Sequence, residues 1–236
     1  RTKNQEPRTK NQEPRTNQFL HSSFSILHSQ FFILNSSFSI LHSSFLTMIL
    51  YLVGFMGSGK STIGNALAEK WRIPLIDLDA EIIRAAGCSI PEIFEREGEL
   101  GFRQRERETL QAVCATQVTP ESVPDGQPEC VISLGGGAFT QEAIRQQIAT
   151  TGVSVWLKAS FETCAARLRE TTDRPLFQSP ATAQTLFESR LPVYALANIE
   201  IETDGQPISV ICAQIQQAFL GYSSRITPLS SEALDL

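Results

Sequence analysis

Short apolar runs alternate with longer amphipathic stretches from Ile49 onward. The runs ILYLV (49–53) and CVIS (130–133) are apolar and β-prone, whereas NALAEKW (65–71) reads as helix. A continuous apolar run of this kind is typical of a parallel strand that is buried on both faces. The alternation of such runs with helical stretches predicts an α/β protein built on a parallel sheet.

Residues 1–47 have a different pattern. The heptapeptide RTKNQEP occurs twice in residues 1–14, and phenylalanines then recur every seven positions, at Phe24, Phe31, Phe38 and Phe45. An apolar heptad is typical of a coiled coil, but no charged residue lies between Asn17 and Gly59 to form the flanking ion pairs. No apolar run reaches the roughly 20 residues that a membrane helix needs. The segment also lacks the arginine content of a transit peptide. We therefore expect no folded domain here.

A repeat of seven residues has a simple origin in DNA. A repeated seven-base unit repeats its translation every seven codons, because seven and three share no common factor. We hypothesise that residues 1–47 are translated tandem-repeat DNA and that Met48 is the natural initiator. The alternative is a targeting segment, which would place the protein in a plastid. In either case we expect one domain over residues 48–221 and a flexible tail over 222–236.

A phosphate-binding loop follows the first apolar run. Gly54-x-x-x-x-Gly59-Lys60-Ser61 matches G-x-x-x-x-G-K-[ST], with a strand before it and a helix after it. Backbone N–H groups and the helix N-terminus attract phosphate, the lysine neutralises the β- and γ-phosphates, and the serine hydroxyl ligates Mg²⁺. We predict nucleotide contacts from Gly57, Ser58, Gly59, Lys60, Ser61 and Thr62. The chain has neither the DxxG nor the NKxD element of a GTPase, which favours a small-molecule kinase.

Two acids end the next apolar stretch, IPLIDLDA (73–80). In an extended strand Asp77 and Asp79 would point to the same side, at the sheet edge where ligands of α/β proteins bind. One could hold Mg²⁺ through water and the other could accept a proton from the attacking hydroxyl. The alternative is that one of them caps the helix beginning AEIIRAAG, with Asp79 favoured over Asp77, and a capping residue could also bind a ligand.

Three further segments carry candidate chemistry. ELGFRQRERETL (99–110) has a charged helical pattern that leaves open which of Arg103, Arg105 and Arg107 faces a ligand. SLGGGAF (133–139) places three glycines directly after a strand, where backbone can approach a ligand closely. ETTDRPLFQSPATA (170–183) has the composition of a long loop, which we interpret as a lid that excludes water.

Composition narrows the function further. The net charge of −5 argues against a nucleic-acid partner. The five cysteines include no CxxC pair, which favours a reducing compartment and argues against a zinc site. All three histidines lie within residues 1–47, so the remainder of the chain has no histidine base.

The motifs GFMGSGKSTIG, LIDLD, IFEREGELGFR, SLGGGA, DRPL and SRLPVY occur in an order and spacing that resemble the shikimate kinase family. The resemblance covers about residues 49–220. It implies a three-layer α/β/α fold of the nucleoside-monophosphate-kinase type, with a central parallel sheet and a mobile lid. It also implies a cytoplasmic, monomeric enzyme, without nucleic-acid or membrane partners, that uses ATP and Mg²⁺ to phosphorylate the 3-hydroxyl of shikimate.

The resemblance also implies roles for individual residues. Asp77 resembles the Mg²⁺-linked acid, and Asp79 resembles the acid that holds the shikimate hydroxyls and helps to deprotonate one of them. Arg103 and Arg190 resemble the pair that clamps the shikimate carboxylate, as bidentate guanidinium groups can. The glycine run that approaches the substrate ring is represented by Gly135, Gly136 and Gly137.

Two more arginines match the nucleotide side of the family. Arg174 resembles the lid arginine that reaches the phosphates, and it completes an expected catalytic set with Lys60 and Asp79. Arg167 resembles a second nucleotide-side arginine. DGQP (204–207) resembles the adenine-side loop but is shorter and lacks an arginine. The alternatives are a gluconate or nucleotide kinase on the same fold, or a non-catalytic nucleotide-binding protein.

Overall fold

The structure is a computed structural model that describes residues 48–117, 126–169 and 180–226. The predictions for residues 1–47, for the lid over residues 170–179 with Arg174, and for the last ten residues therefore lie outside the described residues.

The centre of the fold is a parallel sheet of five strands. The strands are β1 (Ile49–Val53), β2 (Leu75–Asp77), β3 (Val131–Ser133), β4 (Gly152–Lys158) and β5 (Ile199–Glu202). They lie in the order β2-β3-β1-β4-β5, and every pairing is parallel. The strand β1, predicted from ILYLV, is the middle strand, and all five of its residues are buried. A middle strand is covered on both faces, which explains its unbroken apolar sequence.

Helices cover the sheet. They are α1 (Lys60–Trp71), α2 (Leu78–Ala86), α3 (Ile90–Gln117), α4 (Glu142–Thr151), α5 (Phe161–Arg169), α6 (Pro180–Tyr194) and α7 (Ile208–Ile226), with a short 3₁₀ helix at Ala138–Thr140. Helix α3 is interrupted at Gly98, whose φ of 67° is not helical. Within the described ranges, no helix is long and apolar enough to cross a bilayer.

Two hydrophobic clusters confirm the three-layer α/β/α prediction. Alternate residues of β1 contribute to opposite clusters, because successive side chains of a strand point to opposite faces. Ile49, Tyr51 and Val53 pack in a cluster that includes residues of α2, α3 and α4. Leu50 and Leu52 pack in the other, which includes residues of α1 and α7.

Two predicted boundaries are wrong. The lid loop predicted over 170–183 is helical from Pro180 onward, because α6 begins there. The tail predicted over 222–236 is helical as far as Ile226, because α7 continues through SSRI. In α7, Phe219 is buried and Tyr222 packs against the cluster on this face, so tertiary contacts extend this helix beyond the boundary that its serine-rich end suggests.

Candidate active site

The phosphate loop connects β1 to α1 with three glycines in conformations that other residues rarely adopt. Gly54, Gly57 and Gly59 have φ values of 144°, 78° and 98°. A Cβ atom on Gly57 would lie 2.7 Å from the carbonyl oxygen of Cys164 in α5, so the loop also requires glycine for space. Both constraints fix the loop as a turn with a bare backbone.

The N-terminus of α1 is built to receive an anion. The helix begins at Lys60, its first turn contains no acidic residue, and no side chain in the described part of the chain caps it. Its first N–H groups and the positive end of its dipole therefore face the loop. Lys60 is 9% exposed, and its Nζ donates to the carbonyl oxygens of Gly54 and Phe55, each at 2.9 Å. The ammonium group is thus held across its own loop.

A cavity of about 310 Å³ lies over this helix end. It is lined by loop residues and by the other predicted nucleotide-side groups, including Lys60, Ser61, Thr62, Asp77 and Arg167. Arg167 extends from α5, and its Nη1 donates to the carbonyl oxygen of Gly57 at 3.1 Å. We call this space the phosphate cavity.

The prediction that Asp77 and Asp79 share one face of a strand is wrong. Strand β2 ends at Asp77, and Asp79 lies in the first turn of α2. Asp77 is the residue that caps this helix, because its Oδ1 accepts from the backbone N–H groups of Asp79 and Ala80 at 3.0 and 3.3 Å. Both carboxylates nevertheless line the phosphate cavity.

A second cavity, of about 320 Å³, adjoins the first. Its polar lining includes Asp79, Arg103, Glu106 and Arg190, and apolar side chains such as Phe94 and Phe102 form another part of its wall. We call it the acceptor cavity. Asp79, Met56, Gly135 and Gly136 line both cavities, so one carboxylate and two backbone units border the two spaces.

The structure resolves which arginine of α3 faces the acceptor cavity. Arg103 lines it, next to the buried Phe102. Arg105 instead pairs with Glu97 at 2.7 Å, and Arg107 donates to Gln141 at 2.6 Å. Successive side chains of a helix are rotated by about 100° per residue, so these three arginines point in different directions. The charge pattern alone could not show which direction faces the cavity.

The glycine run follows β3 and contacts a different neighbour at each position. A Cβ atom on Gly135 would lie 2.6 Å from Oδ1 of Asp79, and one on Gly137 would lie 2.5 Å from both terminal nitrogens of Arg103. One on Gly136 would lie 3.3 Å from the backbone nitrogen of Met56, in the phosphate loop. Because the run has no side chains, Asp79, Arg103 and the phosphate loop can all lie close to one short stretch of backbone.

Two side chains of α6 hold this run from the other side. Arg190 donates from Nη1 to the carbonyl oxygen of Gly136 at 3.1 Å, and the hydroxyl of Tyr194 donates to the same oxygen. Arg190 also lies over the ring of Phe55, with 5.8 Å from its Cζ to the ring centroid. Tyr194 was not among the predicted site residues; the signal in the sequence is its spacing of four residues from Arg190 on a helix.

Glu106 is a second residue of the site that was not predicted from the sequence. It is 1% exposed, and its Oε2 accepts from Nη1 of Arg103 at 2.6 Å. Burial raises the pKa of Glu106, and the nearby Arg103 partly offsets this rise. The signal in the sequence was its position three residues after Arg103, which places both on one side of α3.

Comparisons with known proteins show which family this chain belongs to. The family model described as shikimate kinase matches residues 56–220. A shikimate kinase of Ruegeria pomeroyi is 44% identical over 158 residues, which cover 66% of this chain and 75% of the relative. The chain belongs to the shikimate kinase family. The predicted activity class is thereby confirmed: the protein is an ATP-dependent kinase of shikimate.

Solved structures of the shikimate kinase family have the same fold. The structure of a shikimate kinase from Acinetobacter baumannii in complex with shikimate has a TM-score of 0.65 and 34% identity, and covers 75% of this chain and 94% of that one. A gluconokinase from Sinorhizobium meliloti has a TM-score of 0.51 at 19% identity over 79% of this chain and 99% of that one. The latter likeness extends to the fold alone.

The shikimate kinase family implies Mg²⁺ together with ATP, and the donor set of the phosphate cavity fits this ion. Ser61 supplies a hydroxyl and Asp77 a carboxylate, both hard oxygen ligands, beside the N-terminus of α1. Among the described residues, no group of three His, Cys, Asp or Glu side chains could hold a metal by itself. Mg²⁺ is commonly bound by one or two protein oxygens together with substrate phosphates and water, so these two side chains suffice for it.

Proposed function

We propose that the phosphate cavity binds ATP, that the acceptor cavity binds shikimate, and that the γ-phosphoryl group passes from ATP to the 3-hydroxyl of shikimate beside Asp79. The observation that carries this proposal is that Asp79, Gly135 and Gly136 line both cavities. A group bound in one cavity is therefore adjacent to a group bound in the other, which is the proximity that transfer requires.

The nucleotide site consists of the phosphate loop, which includes Lys60, and the charged side chains of Asp77, Arg167 and Arg174. The N–H groups of residues 57–62 surround the phosphates, and Lys60 neutralises the charge that develops on the β- and γ-phosphates. Arg167 adds a cation at the rim of the loop. Ser61 and Asp77 would hold Mg²⁺, which would neutralise phosphate charge. Arg174, which lies outside the described residues, is proposed as a further cation for the phosphates.

The acceptor site separates the two ends of shikimate. Arg103 and Arg190 line one cavity from two different helices, so their guanidinium groups clamp the carboxylate from two directions. Asp79 accepts hydrogen bonds from the ring hydroxyls and takes the proton of the attacking one. Gly135, Gly136 and Gly137 let the backbone contact the ring, since no side chain intervenes.

Catalysis in this arrangement is mostly positioning and charge neutralisation, because phosphoryl transfer needs little covalent chemistry from the protein. Asp79 provides the proton acceptor, so a histidine base is unnecessary. We further propose that the enzyme is a cytoplasmic monomer without nucleic-acid or membrane partners, consistent with its net charge of −5.

A coupled assay of ADP release tests the proposal. The purified protein, with ATP and Mg²⁺, is offered shikimate, gluconate or nucleoside monophosphates, and the phosphorylated position is determined by NMR. We expect turnover with shikimate alone and phosphate on its 3-hydroxyl. Turnover with gluconate or a nucleotide but not with shikimate contradicts the proposal.

The variant Lys60→Ala tests the nucleotide site in the same assay. Removing the ammonium group leaves the developing charge on the phosphates without its nearest cation, so we expect kcat to fall at least about 100-fold. The exposed Lys70→Ala, at the other end of α1, is the matched control and should retain full activity. Near-normal turnover by Lys60→Ala would refute the assignment of this loop.

A further inference from the structure

Gln141 occupies the N-cap position of α4 but does not cap the helix. Within the described ranges its side chain makes no hydrogen bond to the first turn. Short side chains such as those of Ser, Thr, Asp and Asn are favoured at this position because their oxygen reaches the unpaired N–H groups. The glutamine at this position is therefore not explained by the start of its own helix.

The Gln141 side chain instead bridges two charged residues of α3. Its Nε2 donates to Oε2 of Glu106 at 2.9 Å, and its Oε1 accepts from Nη1 of Arg107 at 2.6 Å. Arginine can only donate and carboxylate can only accept, so Arg107 fixes which end of the amide faces Glu106. Arg107 therefore orients the amide so that its NH₂ group donates to Glu106.

Glu106 in turn is the buried counter-charge of Arg103. The same Oε2 that accepts from Gln141 also accepts from Nη1 of Arg103, while Oε1 has no hydrogen-bond partner among the described residues. Oε1 would lie 3.2 Å from a Cβ atom on Gly135, at the wall of the acceptor cavity. Both donors on one oxygen thus set the orientation of the carboxylate.

We propose that Gln141 is a positioning residue for the acceptor cavity, which holds the Glu106 carboxylate and through it keeps the Arg103 guanidinium aimed at the substrate. This inference rests on the proposed role of Arg103 in binding the shikimate carboxylate. Without the Gln141 amide, Glu106 has one donor fewer and can rotate, and Arg103 then loses its fixed geometry. The loss affects substrate binding rather than the chemical step.

The charges and hydrogen bonds around Glu106 affect whether its carboxyl group is ionised. Asp79 on α2 faces it as a like charge, whereas Arg103 on α3 and Arg190 on α6 face it as opposite charges. Burial raises the pKa of Glu106, and a donor to the carboxylate counteracts this rise. Removing the Gln141 amide therefore favours the protonated form, which is a weaker partner for Arg103.

The test compares Gln141→Met with Gln146→Met. Methionine has nearly the length of glutamine but makes neither hydrogen bond, so packing is retained. Gln146 lies on the same helix, is exposed, and contacts only Glu142 among the hydrogen bonds described. We expect Gln141→Met to raise the KM for shikimate roughly fivefold, with kcat and the KM for ATP unchanged. Gln146→Met should match the wild type.

Gln141→Ser separates positioning from helix stability. A serine at the N-cap accepts from the first turn of α4, so the melting temperature should be unchanged or higher while the KM for shikimate rises. Arg103→Lys is assayed in parallel. If it raises the KM for shikimate while Gln141→Met and Gln141→Ser do not, the role of Gln141 is overturned and the acceptor clamp stands. If Arg103→Lys leaves this KM unchanged, the proposed clamp and the inference both fail.

Discussion

Arg190 and Tyr194 serve the same atom, the carbonyl oxygen of Gly136. Burial raises the pKa of Tyr194 to about 12, so its hydroxyl remains protonated and can donate at neutral pH. The tyrosine therefore holds this backbone oxygen together with Arg190, whose guanidinium group partly offsets the rise in the pKa of Tyr194. Since guanidinium has five N–H donors, Arg190 can hold this carbonyl through Nη1 and still present others to the acceptor cavity.

Arg190→Lys tests whether the remaining N–H donors of Arg190 bind the substrate. Lysine keeps the charge but offers a single ammonium, which cannot bind a carboxylate through two parallel hydrogen bonds. We expect the KM for shikimate to rise about tenfold, with the KM for ATP unchanged, measured by steady-state kinetics. Arg225→Lys, at the exposed end of α7, is the control. An unchanged KM for shikimate would remove Arg190 from the site.

Burial of Glu106 has a consequence for stability. Its folded pKa is raised above the ordinary 4.5, so the folded state retains a proton that the unfolded state has released. Stability of the wild type therefore falls as pH rises from about 4.5 through the raised folded pKa. The carboxylate is retained at the site despite this cost, as expected for a residue that serves function.

Glu106→Gln should remove this pH dependence, because an amide does not titrate. We expect the free energy of unfolding of the variant, relative to the wild type, to increase with pH across that interval, as measured by urea titration. Glu97→Gln is a control with the opposite sign. The hydrogen bond from Arg105 lowers the pKa of Glu97, so the wild type should lose its advantage over this variant as pH falls. A flat difference for Glu106→Gln contradicts the argument.

At the scale of elements, the stretch from β3 to the 3₁₀ helix explains why three glycines are needed. Gly135 leaves room for the Asp79 carboxylate, Gly136 for the phosphate loop and Gly137 for the Arg103 guanidinium. A tight strand-to-helix turn would require only one glycine. The run is instead the place where α2, α3 and the phosphate loop all approach one backbone.

Gly137→Ala tests this account. Its new Cβ would overlap the terminal nitrogens of Arg103, which lie 2.5 Å away, and this long side chain can move aside. We therefore expect a folded protein whose KM for shikimate is raised about tenfold, since the clamp is displaced. Gly221→Ala in α7 is the control, because no atom of the described residues outside its own helical backbone lies within 4 Å of its Cβ position. A normal KM for shikimate in Gly137→Ala would show that this contact is unimportant.

For the whole molecule, the order of strands assembles the site. The strands β2, β3 and β1 are neighbours, and their carboxyl ends lead into Asp77, the glycine run and the phosphate loop, respectively. Parallel strands present these ends at one edge of the sheet, where α/β proteins bind ligands. Segments that are about 80 residues apart in sequence therefore meet at this edge of the sheet.

A chain that begins at Met48 should fold and be active. Strand β1 starts at Ile49, and the carbonyl oxygen of Met48 accepts from the backbone nitrogen of Glu129 at 3.0 Å, so the sheet needs residues from this point. We expect kcat/KM within about twofold of the full chain and the same melting temperature. A chain beginning at Gly54 lacks the middle strand and should not fold. Insolubility of the Met48 chain would assign a structural role to residues 1–47.

The features that the sequence determined by itself are those that depend on residues close together in the chain. The phosphate loop follows from glycine conformations and one lysine at fixed spacing, and the buried β1 follows from an uninterrupted apolar run. The parallel sheet follows from the alternation of such runs with helices. The function was predicted from the family motifs, because six short segments in a fixed order are specific even where each segment alone is not.

Tertiary structure decided which side chains converge. Helix α2 begins immediately after β2, and only that geometry makes Asp77 the cap and turns Asp79 towards both cavities. The choice of Arg103 over its neighbours depends on how α3 is rotated against the sheet. The contact between Gln141 and Glu106 spans 35 positions of sequence. Local propensity carries no information about such distances, because packing of separate elements alone brings these atoms together.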